Sequence, residues 1–276
     1  FSAFAPAAAA AGTGLLIGLV IAALVAFCNA TSSAQLAAAH PTSGGTYAYG
    51  RAELGPWWGF VAGWCFVIGK LASCAAMALT FAAYAAPPGW ERPVALFAVA
   101  ALVTVNYFGV TRTAQLTRVI VVLVLLTLAL VVAAGAVAGP GPDGWSASSL
   151  TEGGMYGILQ SGGLLFFAFA GYARIATMGE EVKDPRRTIP RAIVLALSMA
   201  IAVYAIVAVT VLAVLGPAAT AVSAAPLADA AAAAGWGWTQ PVVRVGAAAA
   251  SLGALLALIA GIGRTALAMA REDDLP

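Results

Sequence analysis

The chain has 276 residues, of which 62% are hydrophobic and 9% charged, with a mean hydropathy of +0.96 and a formal net charge of +2. A soluble domain carries about 25% charged residues, so this composition excludes an ordinary soluble globule and points to an all-α polytopic membrane protein with the lipid bilayer as its surroundings. The excess of positive charge is too small to indicate a nucleic-acid partner.

The first residues are apolar, with neither an initiator methionine nor the charged region that opens a signal peptide. The last six, Arg271 to Pro276, follow directly on a predicted helix. Both ends read as truncated, so residues 1–276 are expected to be one transmembrane domain cut at each end. Against a requirement of about 20 residues per span, seven apolar segments stand out: Ala7 to Ala38, Pro56 to Ala86, Pro93 to Phe108, Thr117 to Gly139, Gly157 to Gly179, Ile189 to Leu215 and Pro241 to Ala270. Seven spans make the connections alternate sides. Nine basic residues, Arg51, Arg112, Arg118, Lys183, Arg186, Arg187, Arg191, Arg264 and Arg271, then fall on one side, against Arg92 and Arg244 on the other. By the positive-inside rule the richer side is cytoplasmic. The loops after the first, third, fifth and seventh spans are therefore expected in the cytoplasm of a cell-membrane protein.

The first inner connection holds the chain's one histidine, His40, followed by a glycine- and tyrosine-rich piece that closes on Gly55-Pro56. It is expected to be partly helical and to lie against the membrane, with His40 either solvated or handling protons. The second span carries Lys70 about 21 Å from each end at helical rise, beyond the reach of snorkelling. All 11 acidic residues lie in connections or at span ends. Lys70 must therefore lose its proton, bind carbonyls or a ligand carboxylate, or simply join two helices. Cys28, Cys65 and Cys74 sit in apolar segments without metal-ligand spacing and read as small hydrophobes. Beyond the fourth span, a Pro/Gly/Ser loop runs from Ala138 to Gly154.

The stretch Ser161 to Arg191 is the expected working centre. Phe166, Phe167 and Phe169 form an aromatic wall, Gly171 permits backbone conformations other residues avoid, and Arg174 follows in apolar surroundings. Next comes a charged cluster, Glu180 to Arg191, which reads either as a solvated loop or as a hinge bounded by Pro185. Thr188 is expected to cap the next helix with Pro190 in its first turn, and the alanine-rich piece beginning at Pro226 to form a short outer helix. No Walker, HExxH or GxSxG pattern occurs, and one histidine is too few for the usual metal clusters. Neither an enzyme, a cofactor nor a bound metal is expected.

FFAFAGYARIATMGEEVKDPRRTIPRAI, HPTSGGTYAYGRAELGP and GIGRTALAMAREDDLP, which follow one another along the chain in the order second, first, third, together resemble the amino acid-polyamine-organocation (APC) superfamily of permeases. The first looks like that family's sixth segment and following loop, the second its loop between segments two and three, the third the end of segment eight. The resemblance makes the chain a fragment covering segments two to eight of a leucine-transporter-type inverted-repeat fold, in which segments one and six are interrupted near the midplane. It implies a secondary transporter of amino acids or related amines working by alternating access, with protons as a coupling ion left open. A non-transporting receptor or scaffold of the same fold is the alternative. Carried over at matching positions, Phe167, Ala168, Phe169, Ala170 and Gly171 would line the substrate site with Tyr172 beside it. Two departures stand out. Val124 occupies the place where some proton-coupled members carry a lysine, leaving Lys70 as a coupling candidate. Ala173, followed by Arg174, stands where many relatives have an acidic residue, which argues against a cationic substrate and makes Arg174 a gating candidate.

Overall fold

A computed structural model describes residues 3–40, 42–87, 89–108, 110–142, 147–169, 171, 175 and 182–275. Its α-helices are α1 (Phe4–Ala11), α2 (Leu15–Ala39), α3 (Thr46–Leu54), α4 (Pro56–Ala85), α5 (Glu91–Tyr107), α6 (Val110–Ala138), α7 (Gly154–Phe169), α8 (Pro185–Val222), α9 (Pro226–Ala233) and α10 (Gln240–Arg271). Short 3-10 turns join some of them, and the protein is all-α and polytopic. Among the described residues, five helical stretches are long and apolar enough to cross a membrane: Phe4–Ala39, Pro56–Ala85, Gln115–Ala138, Pro185–Val222 and Gly237–Arg271. The other two expected spans appear as shorter helices, α5 of 17 residues and α7 of 16. At 1.5 Å per residue α5 reaches roughly 25 Å, against about 30 Å of hydrocarbon, while the expected span that contains α7 runs on into residues outside those described.

Three local expectations change. The first span is interrupted: α1 stops at Ala11, and a 3-10 turn over Gly12–Gly14 leads into α2. Gly12 takes φ +57, a left-handed value that costs glycine little. Thr13, itself buried, donates its hydroxyl to the Ser149 carbonyl at 2.6 Å, fixing the turn. Second, α8 begins at Pro185, so Thr188 lies inside its first turn and does not cap it. The Arg187 and Thr188 amides both reach the Asp184 carbonyl, at 3.2 and 2.9 Å, and proline at the first position lacks the amide that would go unsatisfied there. Third, α8 is bent where Gly216 takes φ 74 and ψ 166, just past the expected end at Leu215.

The chain packs as two compact units. The first comprises Phe1–Asn29, Leu125–Ala170 and Ala196–Gly246. Its core is built largely from small and β-branched side chains, including Ala7, Ala26, Ala134 and Val211, which let helix backbones approach closely. The second comprises Ala30–Val124, Gly171–Leu195 and Ala247–Pro276. One of its cores joins Cys74, Ala78 and Ala82 of α4 to Ala95 and Leu102 of α5 and Leu255 and Leu256 of α10. Another gathers Tyr47 of α3 with Ala268 and Met269 of α10.

Candidate functional site

In the first unit, α7 has two dissimilar faces. Gly157, Ile158, Ser161, Gly162, Leu165 and Phe169 are buried. Met155, Tyr156, Leu159, Leu164 and Phe167 are exposed. The buried face works by closeness: a Cβ at Gly157 would strike the Ala10 carbonyl of α1, and one at Gly18 of α2 would strike Ser161 Oγ and come within 2.9 Å of the Gly162 amide nitrogen. Ser161 is fully buried, and its hydroxyl turns back to the Ile158 carbonyl at 2.9 Å, so no donor is stranded.

The described helix ends at Phe169. There the Tyr204 hydroxyl of α8 donates to the Ala168 carbonyl at 3.1 Å, and the Phe169 ring lies 5.1 Å from the Tyr204 ring at an interplanar angle of 52°. Residues two apart on a helix point about 200° away from each other. Accordingly Phe169 is 3% exposed against Tyr204 while Phe167 is 53% exposed on the other face. Gly171 lies in a turn, exposed, and among the described residues beyond its chain neighbours no heavy atom lies within 4 Å of where its Cβ would be. Of the other expected site residues, Ala170, Tyr172 and Arg174 lie outside the described residues, as do Glu180 and Glu181 of the charged cluster. Thus Ala168 and Phe169 are brought together with Tyr204, and Phe167 is turned away from that pair. Tyr204 was not anticipated from the sequence. The available signal was the one phenol in the predominantly apolar span Ile189 to Leu215, since a buried tyrosine hydroxyl usually finds a partner.

Lys70 belongs to the second unit. It lies 14 residues from Pro56 and 15 from Ala85, the ends of α4, so it occupies the helix middle. Its ammonium stands 5.5 Å from the centre of the Phe66 ring, one turn back, a cation–π arrangement. Among the described residues no carboxylate lies within 4.0 Å of it.

The same unit contains a polar cluster that no local pattern announced. Tyr47, 2% exposed, donates to Asp274 Oδ2 at 2.7 Å. Arg51 reaches that same oxygen through Nη1 at 3.0 Å and Glu272 Oε2 through Nε at 3.1 Å. Burial, then the hydrogen bond to Asp274, push the Tyr47 phenol up to about 12, and burial alone raises Tyr49 to about 12. These contacts clasp α3 to the end of α10, where Asp273 adopts φ +60 and the Asp274 amide returns to the Met269 carbonyl at 3.0 Å. His40 Nε2 lies 2.7 Å from Glu53 Oε1 at the exposed edge.

The whole chain, residues 1–276, matches the family model described as amino acid permease. It is 58% identical over its full length to an uncharacterized transporter of Mycobacterium tuberculosis, of which it covers 62%. It is 27% identical to the branched-chain amino acid permease BcaP of Bacillus subtilis, over 98% of this chain and 62% of that protein. To cationic amino acid transporter 4 of Mus musculus it is 27% identical, over 95% of this chain and 45% of the relative. The chain therefore spans less than two thirds of the length of these relatives. With motifs, composition and helical architecture in agreement, the chain belongs to the amino acid permease family of the APC superfamily.

Proposed function

We propose that the protein is a secondary active permease that moves amino acids or related amines across the cell membrane by alternating access, with no chemical step on the cargo. The observation that carries this reading is the turn at Gly171, inside an apolar segment and two residues past the described part of α7, with the Ala168 carbonyl held by a side chain from another helix. Backbone groups at such interruptions offer carbonyls to an amine and amides to a carboxylate. In this reading Phe167, Ala168, Phe169, Ala170, Gly171 and Tyr172 form one wall of the substrate site. Tyr204 is a positioning residue that yields or keeps its carbonyl as cargo enters. Arg174 disfavours cationic cargo, and the Arg-rich connections face the cytoplasm. Family membership and relatives named as a branched-chain amino acid permease and a cationic amino acid transporter support a small-molecule cargo of this class.

Coupling to protons is assigned to Lys70. A lysine in the middle of a 30-residue apolar helix, without a carboxylate partner among the described residues, is costly to keep charged and suited to passing its proton on. The test is uptake by the full-length protein in vesicles, with a panel of labelled amino acids and amines, at several pH values, with and without sodium. Lys70→Met is expected to abolish accumulation driven by a proton gradient while substrate exchange continues; undiminished accumulation would overturn the coupling role. Vesicles that bind an amino acid but never accumulate or exchange it would favour a receptor.

A further inference from the structure

The corner between α3 and α4 is rigid within and apolar without. Gly55, at φ +99, turns the chain, and Pro56 opens α4. A Cβ at Gly59 would stand 2.8 Å from the Arg51 Cα, so α3 lies directly on the first turn of α4. Tyr47 and Arg51, on the face of α3 that lies against Gly63 and Gly59 of α4, also reach Asp274 just past α10 and tie it to the corner. Outside the corner, Leu54, Trp57 and Trp58 are 69%, 67% and 57% exposed.

From there a stripe runs along α4 at helical spacing. Trp57 stacks on Phe60 at 6.1 Å between ring centres, and Phe60 meets Trp64 edge-on at 6.3 Å. Ile68 and Leu71 continue the stripe as exposed aliphatic side chains. The order is indole and phenyl first, then aliphatic only. That order matches the passage from the headgroup boundary, where tryptophan keeps its N–H wet and its ring dry, to the acyl interior. The charged groups nearby, Arg51, Glu53, Glu272 and Asp274, belong to α3 and to the residues just past α10 and are held there in polar contacts with one another and with His40.

We propose that the Gly55–Pro56 corner is a membrane foot: Leu54, Trp57 and Trp58 rest among the lipid headgroups of one leaflet and, through the α3 clasp, fix the end of α10 at that depth. The proposal rests on the multi-pass membrane character of the chain and does not depend on its cargo. It has a consequence for Lys70, which follows Trp58 by 12 residues. That is about 18 Å along the helix, close to half of a bilayer about 40–45 Å thick with its headgroups.

The test uses the full-length protein in phosphatidylcholine vesicles whose lipids carry bromine either near the headgroup end or near the tip of the acyl chain, with tryptophan emission as readout. The Trp57→Phe/Trp58→Phe variant removes two of the seven tryptophans of residues 1–276 while keeping ring bulk. Subtracting its emission from that of the wild type isolates the pair, which is expected to be quenched about twofold more by the shallow bromines than by the deep ones. Equal or deeper quenching would overturn the proposal. So would no quenching by either lipid, whether another helix, a second copy or bulk water covers the pair. Each single tryptophan variant, checked for an unchanged thermal midpoint, gives the same reading if the double variant folds poorly.

Discussion

At the described end of α7 the Ala168 carbonyl takes a neutral hydrogen bond from Tyr204, whereas just past α10 two carboxylates, Asp274 and Glu272, receive a phenol and two nitrogens of one guanidinium. A neutral hydrogen bond contributes about 1 kcal/mol net, and bonds to charged groups roughly twice that. The Arg51–Glu272 contact is half exposed and contributes at the low end for that reason. A carbonyl held by a rotatable hydroxyl can change partners when a ligand arrives. An end held by several contacts converging on Asp274 has less freedom to do so. On the proposed reading, motion belongs to the first place and anchorage to the second.

The largest way to break this contrast lies on the buried face of α7. Gly18→Val should lower stability by about 3 kcal/mol, because the atoms in its way include the Gly162 amide and the Ile158 carbonyl, which cannot rotate aside. A clear fall in the thermal midpoint in detergent checks it. Next, Asp274→Asn removes the charge shared by Tyr47 and Arg51 and should cost about 2 kcal/mol by the same assay, with the substrate preference of uptake unchanged. Tyr204→Phe keeps the ring contact with Phe169 and loses only the bond to Ala168, so its stability cost is about 1 kcal/mol. Its uptake KM should nevertheless move several-fold, and an unmoved KM would leave Tyr204 as mere packing.

The smallest effect sharpens the anchored end. Tyr47 is raised to about 12 in the folded protein, so the stability tied to its protonated form is complete below about pH 10 and is lost as pH rises through 12. In Asp274→Asn, tyrosinate absorbance should appear earlier in the titration. It should still come later than for an ordinary tyrosine, since burial, the larger cause, remains.

The helices were readable in the sequence because a membrane span must satisfy its backbone internally, and long apolar runs mark it. Six of the seven expected segments carry a continuous helix over most of their predicted length; the segment from Gly157 is helical to Phe169. What stayed hidden depends on partners distant in sequence. The turn at Gly12–Gly14 reads as ordinary membrane-helix glycines until Ser149 is seen to bind Thr13. The clasp joins Tyr47 to Asp274 across 227 positions, and neither TYAYGR nor REDD announces the other. At the candidate site the phenylalanines and Gly171 were evident from composition, and the resemblance picked out the positions around them. Tyr204 was not evident, because a single phenol in an apolar helix gives no sign of which carbonyl it serves.

Gly55 and Gly18 are both fixed as glycine, for unrelated reasons. At Gly18 a side chain has no room, while at Gly55 nothing lies within 4 Å and only the sign of φ, +99, stands against one. Inverting the stereocentre removes that objection, because the conformation φ +99, ψ 171 is the mirror image of ordinary extended backbone. A D-alanine introduced at Gly55 by semisynthesis should therefore avoid the backbone strain that L-alanine would bring; for the L side chain the obstacle at this turn is handedness and not size.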